Sequence, residues 1–113
     1  MENKSIDRAW ASIPMPDWLF DAWKEYAEAV KREQRGVLDL FIREYIENKS
    51  AYTKKQHVVF YASNRKAKTR SVQLDAKLYE QIEAFAKTHE TRVNRVLMSS
   101  LLEGLRKRRR IRI

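Results

Sequence analysis

The order strand, helix, turn, helix is written twice along the 113 residues, and this repetition limits the fold more than any single motif does. In the second half, Thr69-Arg-Ser-Val-Gln-Leu-Asp alternates polar and apolar residues with the period of a half-exposed strand, setting Val72 and Leu74 on one side. Asp75 follows as a helix N-cap. Beyond it, Leu78, Ile82, Phe85, Ala86 and His89 recur at spacings of three and four, which marks an amphipathic helix. Glu90-Thr91 breaks the period, and Thr91 is suited to cap the next helix. That helix has Val93, Val96, Leu97, Leu101, Leu102 and Leu105 as its apolar face and ends about Arg106.

The first half repeats the order. Ile13 and Met15 lie on one side of Ala11-Ser-Ile-Pro-Met, and Pro16-Asp17 opens a helix carrying Leu19, Trp23, Tyr26, Ala27 and Val30. Lys31 to Gly36 is a polar break. Val37, Leu40, Phe41, Tyr45 and Ile46 then mark a second helix to about Asn48. An offset of 59 superposes the strands and first helices, and an offset of 56 superposes the second helices. The three-residue change falls in the turn, where insertions belong.

Composition narrows the class. Two Gly and two Pro argue against an all-β fold full of tight turns, and 43% hydrophobic residues suffice for a core. With no Cys there is no disulfide framework, cysteine zinc site or thiol catalysis. The longest apolar run, Val58 to Ala62, is far too short to span a bilayer, and the first residues lack the layout of a secretory signal. A mostly helical, soluble, intracellular protein without a membrane partner is expected. Charge is divided unevenly: residues 1–50 hold 8 Lys+Arg and 10 Asp+Glu, whereas residues 51–113 hold 16 and 5. Lys49, Lys54, Lys55, Arg65, Lys66, Lys68 and Arg70 follow Asn48 without an acid among them, and a basic run from Arg106 closes the chain. Such a one-sided field attracts polyanions, in a soluble protein usually nucleic acid. For the closing run, a solvated arm is the other reading.

Arg70-Ser-Val-Gln-Leu-Asp-Ala-Lys-Leu-Tyr-Glu-Gln-Ile-Glu-Ala-Phe-Ala-Lys-Thr-His-Glu-Thr-Arg-Val-Asn-Arg-Val-Leu resembles the ribbon–helix–helix domain of the Arc/MetJ/CopG superfamily, and Ser12-Ile-Pro-Met-Pro-Asp-Trp-Leu resembles its opening more loosely. One such unit is too small to bury its own core, so members of the family pair two strands into a ribbon over four helices. The resemblance implies a mostly α fold with a short two-stranded antiparallel β ribbon. Tandem units over residues 10–48 and 69–106 would form an intramolecular pseudo-dimer, with residues 11–15 paired to 70–74. The basic linker 49–68 makes the return and a basic tail, 107–113, follows. Pairing between chains is the alternative. The layout is similar to relaxosome accessory proteins of conjugative plasmids, which implies a prokaryotic, phage or plasmid origin and a cytoplasmic, nucleoid-associated location.

A two-stranded ribbon fits the major groove of double-stranded DNA. Alternation sets Thr69, Ser71 and Gln73 outward on one strand, and Trp10, Ser12 and Pro14 outward on the other. Gln73 and Ser71 are the principal base readers expected, with Thr69 and Ser12 beside them; Gln suits adenine N6 and N7. A plain solvated strand face is the competing reading. Pro14 offers no donor, so the reader is asymmetric and a palindromic target is disfavoured. The resemblance further implies that the start of each second helix clamps a phosphate, which assigns Thr91, Arg92 and Asn94 in one unit and Arg35 and Gly36 in the other. Lys66 and Lys68 lead into the strand toward flanking phosphates, and Arg70 is expected to snorkel out to one.

Catalytic chemistry is thin. His57 and His89 have no metal-ligand spacing around them, Ser99-Ser100 has no base nearby, and no Gly-rich phosphate loop exists. No enzyme activity, metal or cofactor is expected. Trp18, Phe20, Trp23 and Tyr26 form a helical stripe that reads as core. Gln56 to Ala62 reads as a further strand, a hydrophobic tether or a self-association surface. The functions this leaves are transcriptional regulation or an accessory role in plasmid transfer or maintenance, with self-association on adjacent DNA sites. The alternatives are an antitoxin-type or other protein-interaction module of unknown partner, and an RNA-binding protein.

Overall fold

Two extended segments meet as one antiparallel ladder, β1 (Arg8–Pro14) with β2 (Thr69–Asp75). The computed structural model describes residues 8–49 and 66–111. Each strand leads into two helices: α1 (Asp17–Ala29) and α2 (Gln34–Lys49), then α3 (Ala76–Thr88) and α4 (Val93–Lys107). The chain is therefore mostly helical with a two-stranded antiparallel sheet. β1 starts at Arg8, earlier than the alternating stretch at Ala11, because β2 supplies partners for it: Arg8 faces Asp75, Ala9 faces Leu74 and Trp10 faces Gln73. Residues 56–62, read above as strand, tether or association surface, lie outside the described residues.

The ladder has one dry face. Ala11, Ile13, Val72 and Leu74 are buried beneath it, and their neighbours in sequence point the other way. This face joins one core cluster with Leu19, Trp23 and Ala27 of α1 and Leu78, Ile82 and Ala86 of α3. The central pair α2 and α4 packs directly against the strands, with Val37, Leu38, Phe41, Ile42, Val96, Leu97, Leu101 and Leu105 all essentially inaccessible. Trp23 also donates its indole N–H to the Gln34 carbonyl at 2.9 Å, fixing the start of α2. Of the aromatic stripe on α1, Trp23 is buried and Phe20 and Tyr26 are half-buried, but Trp18 is exposed and not part of the core.

The two halves correspond at a single offset. Ser12 faces Ser71 across the ladder, 59 residues away, so that pair is its own counterpart. Leu19, Trp23 and Ala27 correspond to Leu78, Ile82 and Ala86, all buried. The second helices keep this offset: Val37, Leu38, Asp39, Phe41, Ile42 and Tyr45 are buried, and so are Val96, Leu97, Met98, Ser100, Leu101 and Gly104. The offset of 56 expected for these helices is therefore incorrect, and the turns are of equal length. Large residues of one half meet small residues of the other. Phe41 corresponds to Ser100 and Tyr45 to Gly104, and a Cβ on Gly104 would overlap the Phe41 ring carbons.

Three helices end alike. Lys31, Glu90 and Arg109 adopt positive φ (58°, 54° and 60°). In each case the following amide reaches back to close the last turn: Arg32 to the Ala27 carbonyl, Thr91 to Ala86 and Arg110 to Leu105. These are Schellman caps made without glycine. Thr91 therefore belongs to the cap of α3. The N-cap of α4 is Arg92, with no side-chain cap bond, which corrects the assignment of Thr91. Asp75 does cap α3, accepting from the Lys77 amide at 2.9 Å. The closing basic run is not simply a solvated arm: Arg108 donates to both Glu44 carboxylate oxygens (3.1 and 2.7 Å) and to the Tyr26 hydroxyl, and lies 4.7 Å above the Phe41 ring.

Candidate nucleic-acid interface

The outer face of the ribbon carries three cross-strand pairs in register: Trp10 with Gln73, Ser12 with Ser71, and Pro14 with Thr69. Trp10 is 64% exposed, Ser12, Ser71 and Thr69 are exposed, and Pro14 and Gln73 are half-covered. The expected base readers Thr69, Ser71, Gln73 and Ser12 thus share one surface. Trp10 joins them because alternation outweighs its hydrophobicity at this strand position. Pro14 sits at the end of β1, where a missing N–H costs least, and the Met15 amide continues the pairing to the Lys68 carbonyl at 2.9 Å.

Gln73 is not isolated. Its side-chain oxygen accepts from Arg35 Nη1 at 3.0 Å, and Arg35 Nε donates to Glu33 Oε1 at 3.1 Å. Arg35, expected at a phosphate, therefore reaches the ribbon face itself from the first turn of α2. A cleft of about 200 Å³ beside this contact is lined by Trp10, Phe20, Trp23, Gln34, Arg35, Ser71, Val72 and Gln73. The Arg35–Gln73 contact lies 38 residues apart in sequence, and no local pattern signals it.

The helix starts differ in a consistent way. α1 has Asp17 in its first turn and α3 has the Asp75 cap, whereas the first turns of α2 and α4 hold no acid. These two starts carry free N–H groups and the positive ends of their helix dipoles. α2 packs beside β2 and α4 beside β1, and the start of α2 reaches the ribbon through Arg35. At α4, Arg92 and Asn94 are exposed and Thr91 is half-exposed. At α2, a Cβ on Gly36 would meet nothing within 4 Å. Internal packing thus explains Gly104 but not Gly36, which leaves bare backbone facing outward.

Several cations are engaged within the fold. Arg70 was expected to extend to a phosphate; instead it lies 4.2 Å over the Phe20 ring, bonded to the Asp17 carboxylate and the Met15 carbonyl. Burial of its stem beneath the ribbon puts its head within reach of the acid at the start of α1. Arg8 pairs with the buried Asp39 at 3.1 Å, and Asp39 also accepts from the Asp75 amide at 3.2 Å. That acid ties α2 to the end of β2; the only sequence signal for it is a carboxylate between Leu38 and Leu40. Lys66 and Lys68 are exposed at the entry to β2.

Among the described residues no group of three or more metal-ligating acids or histidines occurs, and no helix is long and apolar enough to cross a membrane. His89 packs tilted against Phe85 with ring centroids 4.4 Å apart, and the Ser100 hydroxyl donates to the Val96 carbonyl at 2.7 Å. No protein-family model, curated protein or solved structure matches the chain.

Proposed function

We propose that this chain is a sequence-specific double-stranded DNA-binding protein, a tandem ribbon–helix–helix pseudo-dimer that inserts its β ribbon into the major groove. The observation that carries the reading is the outer face of the ribbon: Thr69, Ser71 and Gln73 on one strand and Ser12 on the other form a polar row beside Trp10, next to helices whose first turns hold no acid. A two-stranded ribbon matches the width of the major groove, and open helix starts hold the phosphates on either side. The large-to-small match between Phe41 and Gly104 supports pairing of unlike halves over pairing of like ones. The role is that of a transcriptional regulator or an accessory factor in plasmid transfer or maintenance.

Selection from a randomised duplex library, followed by binding competition against single-stranded RNA, tests the proposal. Duplex is expected to win. Gln73→Ala should lower discrimination between selected and unselected duplexes, while Arg92→Ala should weaken all duplexes alike. Normal binding by both variants would mean that the ribbon is not the reading surface.

A further inference from the structure

Resting on that duplex-reading surface, we infer that Arg35 and Gln73 together read a guanine, and do so at one end of the ribbon only. A guanidinium can only donate hydrogen bonds, so the Gln73 atom facing Arg35 Nη1 at 3.0 Å is the carboxamide oxygen. Reading adenine needs that oxygen for the base N6 amino group, with the amide nitrogen on N7. Here one acceptor position of that oxygen is held by Arg35, so it competes with the adenine amino group. What the pair offers outward is donors: the Gln73 amide nitrogen and the N–H groups of Arg35 beyond those held by Gln73 and Glu33. Guanine presents two acceptors, N7 and O6, on its major-groove edge, and adenine presents one acceptor and one donor. The donor array suits guanine.

Orientation is fixed from two sides. Glu33 Oε1 holds Arg35 Nε at 3.1 Å while Gln73 holds Nη1, and the Arg35 side chain remains 41% exposed. Trp10 faces Gln73 across the ladder and walls the same cleft. Its exposed ring offers apolar contact to a neighbouring thymine methyl group. The other half has no such set. At the offset of 59, Trp10, Arg35 and Gln73 correspond to Thr69, Asn94 and Pro14, which provide neither a cation nor a strand carboxamide. The preferred site therefore carries its guanine in one half and lacks symmetry there.

The experiment is duplex selection on the full chain and on Arg35→Lys, with folding of both checked by circular dichroism. Wild type should enrich guanine at one position of a non-palindromic motif. Arg35→Lys keeps the charge but loses the planar fork, so enrichment at that position alone should fall. Replacing that guanine by 7-deazaguanine removes the N7 acceptor and should weaken wild-type binding about tenfold, with much less effect on Arg35→Lys. Adenine at the position, a palindromic motif, or indifference to 7-deazaguanine would overturn the guanine assignment while leaving duplex binding intact. Absence of duplex binding would overturn both it and the function on which it rests.

Discussion

Arg108 shows how one side chain at the end of the chain closes three helices together. Its guanidinium bridges Glu44 of α2 and Tyr26 of α1 from beyond the end of α4. The hydrogen bond from Arg108 holds the Glu44 carboxyl below its ordinary value of 4.5, against the opposing effect of partial burial, and Arg108 is raised in return. A carboxyl lowered on folding contributes stability above its unfolded value and loses it as pH falls through the folded one. Glu44→Gln should therefore cost about 1–2 kcal/mol in urea unfolding at pH 7, and the gap from wild type should close toward pH 3. Gly104 is the other point where one position governs the core. Gly104→Ala drives a methyl into the Phe41 ring and should destabilise by about 1–3 kcal/mol, most of it recovered by adding Phe41→Leu. Equal losses in the single and double variants would show that the two positions do not compete for space.

Helix caps and helix registers were the least legible part of the sequence, for different reasons. The alternation at Thr69–Asp75 and the three-and-four spacing in α1 and α3 are direct records of which face is buried, so strands, helices and the outward row from Thr69 to Gln73 could be read from them. The match of α2 to α4 failed because a helical apolar stripe superposes on itself after a shift of three or four. The residues that fix the offset, Asp39, Phe41, Ser100 and Gly104, pair large with small or polar with apolar, and an apolar count ignores them. The Arg35–Gln73 contact was invisible because it depends on how α2 meets β2. The helix stops themselves showed as breaks in the apolar period, but their geometry did not, because the three Schellman caps use Lys31, Glu90 and Arg109 where glycine is the usual signal. A left-handed conformation strains a residue bearing a Cβ, so Lys31→Gly and Glu90→Gly should each stabilise the fold by about 0.5–1 kcal/mol in thermal or urea unfolding. A loss of stability in both would mean that the side chains at these caps matter more than their backbone strain.

Across the molecule, two sets of cations stand apart among the described residues. Arg8, Arg43, Arg70 and Arg108 are bound to Asp39, Asp75, Asp17 and Glu44, and they brace the ends of the ribbon and the helix bundle. Lys68, Arg92 and Arg95 are exposed around the entry to β2 and the start of α4, on the half of the chain that carries the net positive charge. A counterion is released only when a phosphate is neutralised by the protein, so the second set should govern the salt dependence of binding and the first should not. With six to eight phosphates engaged, log K against log salt should fall with a slope of roughly −5 to −7. Arg92→Ala should reduce that slope by about 1. Arg70→Gln, measured where the protein remains folded, should leave it unchanged even though it loosens the start of α1. Anisotropy titrations of a labelled duplex over a range of salt concentrations distinguish the two sets directly. A slope near zero would exclude duplex binding through phosphates, and an Arg70 effect as large as that of Arg92 would mean that the Asp17 pair opens when DNA docks.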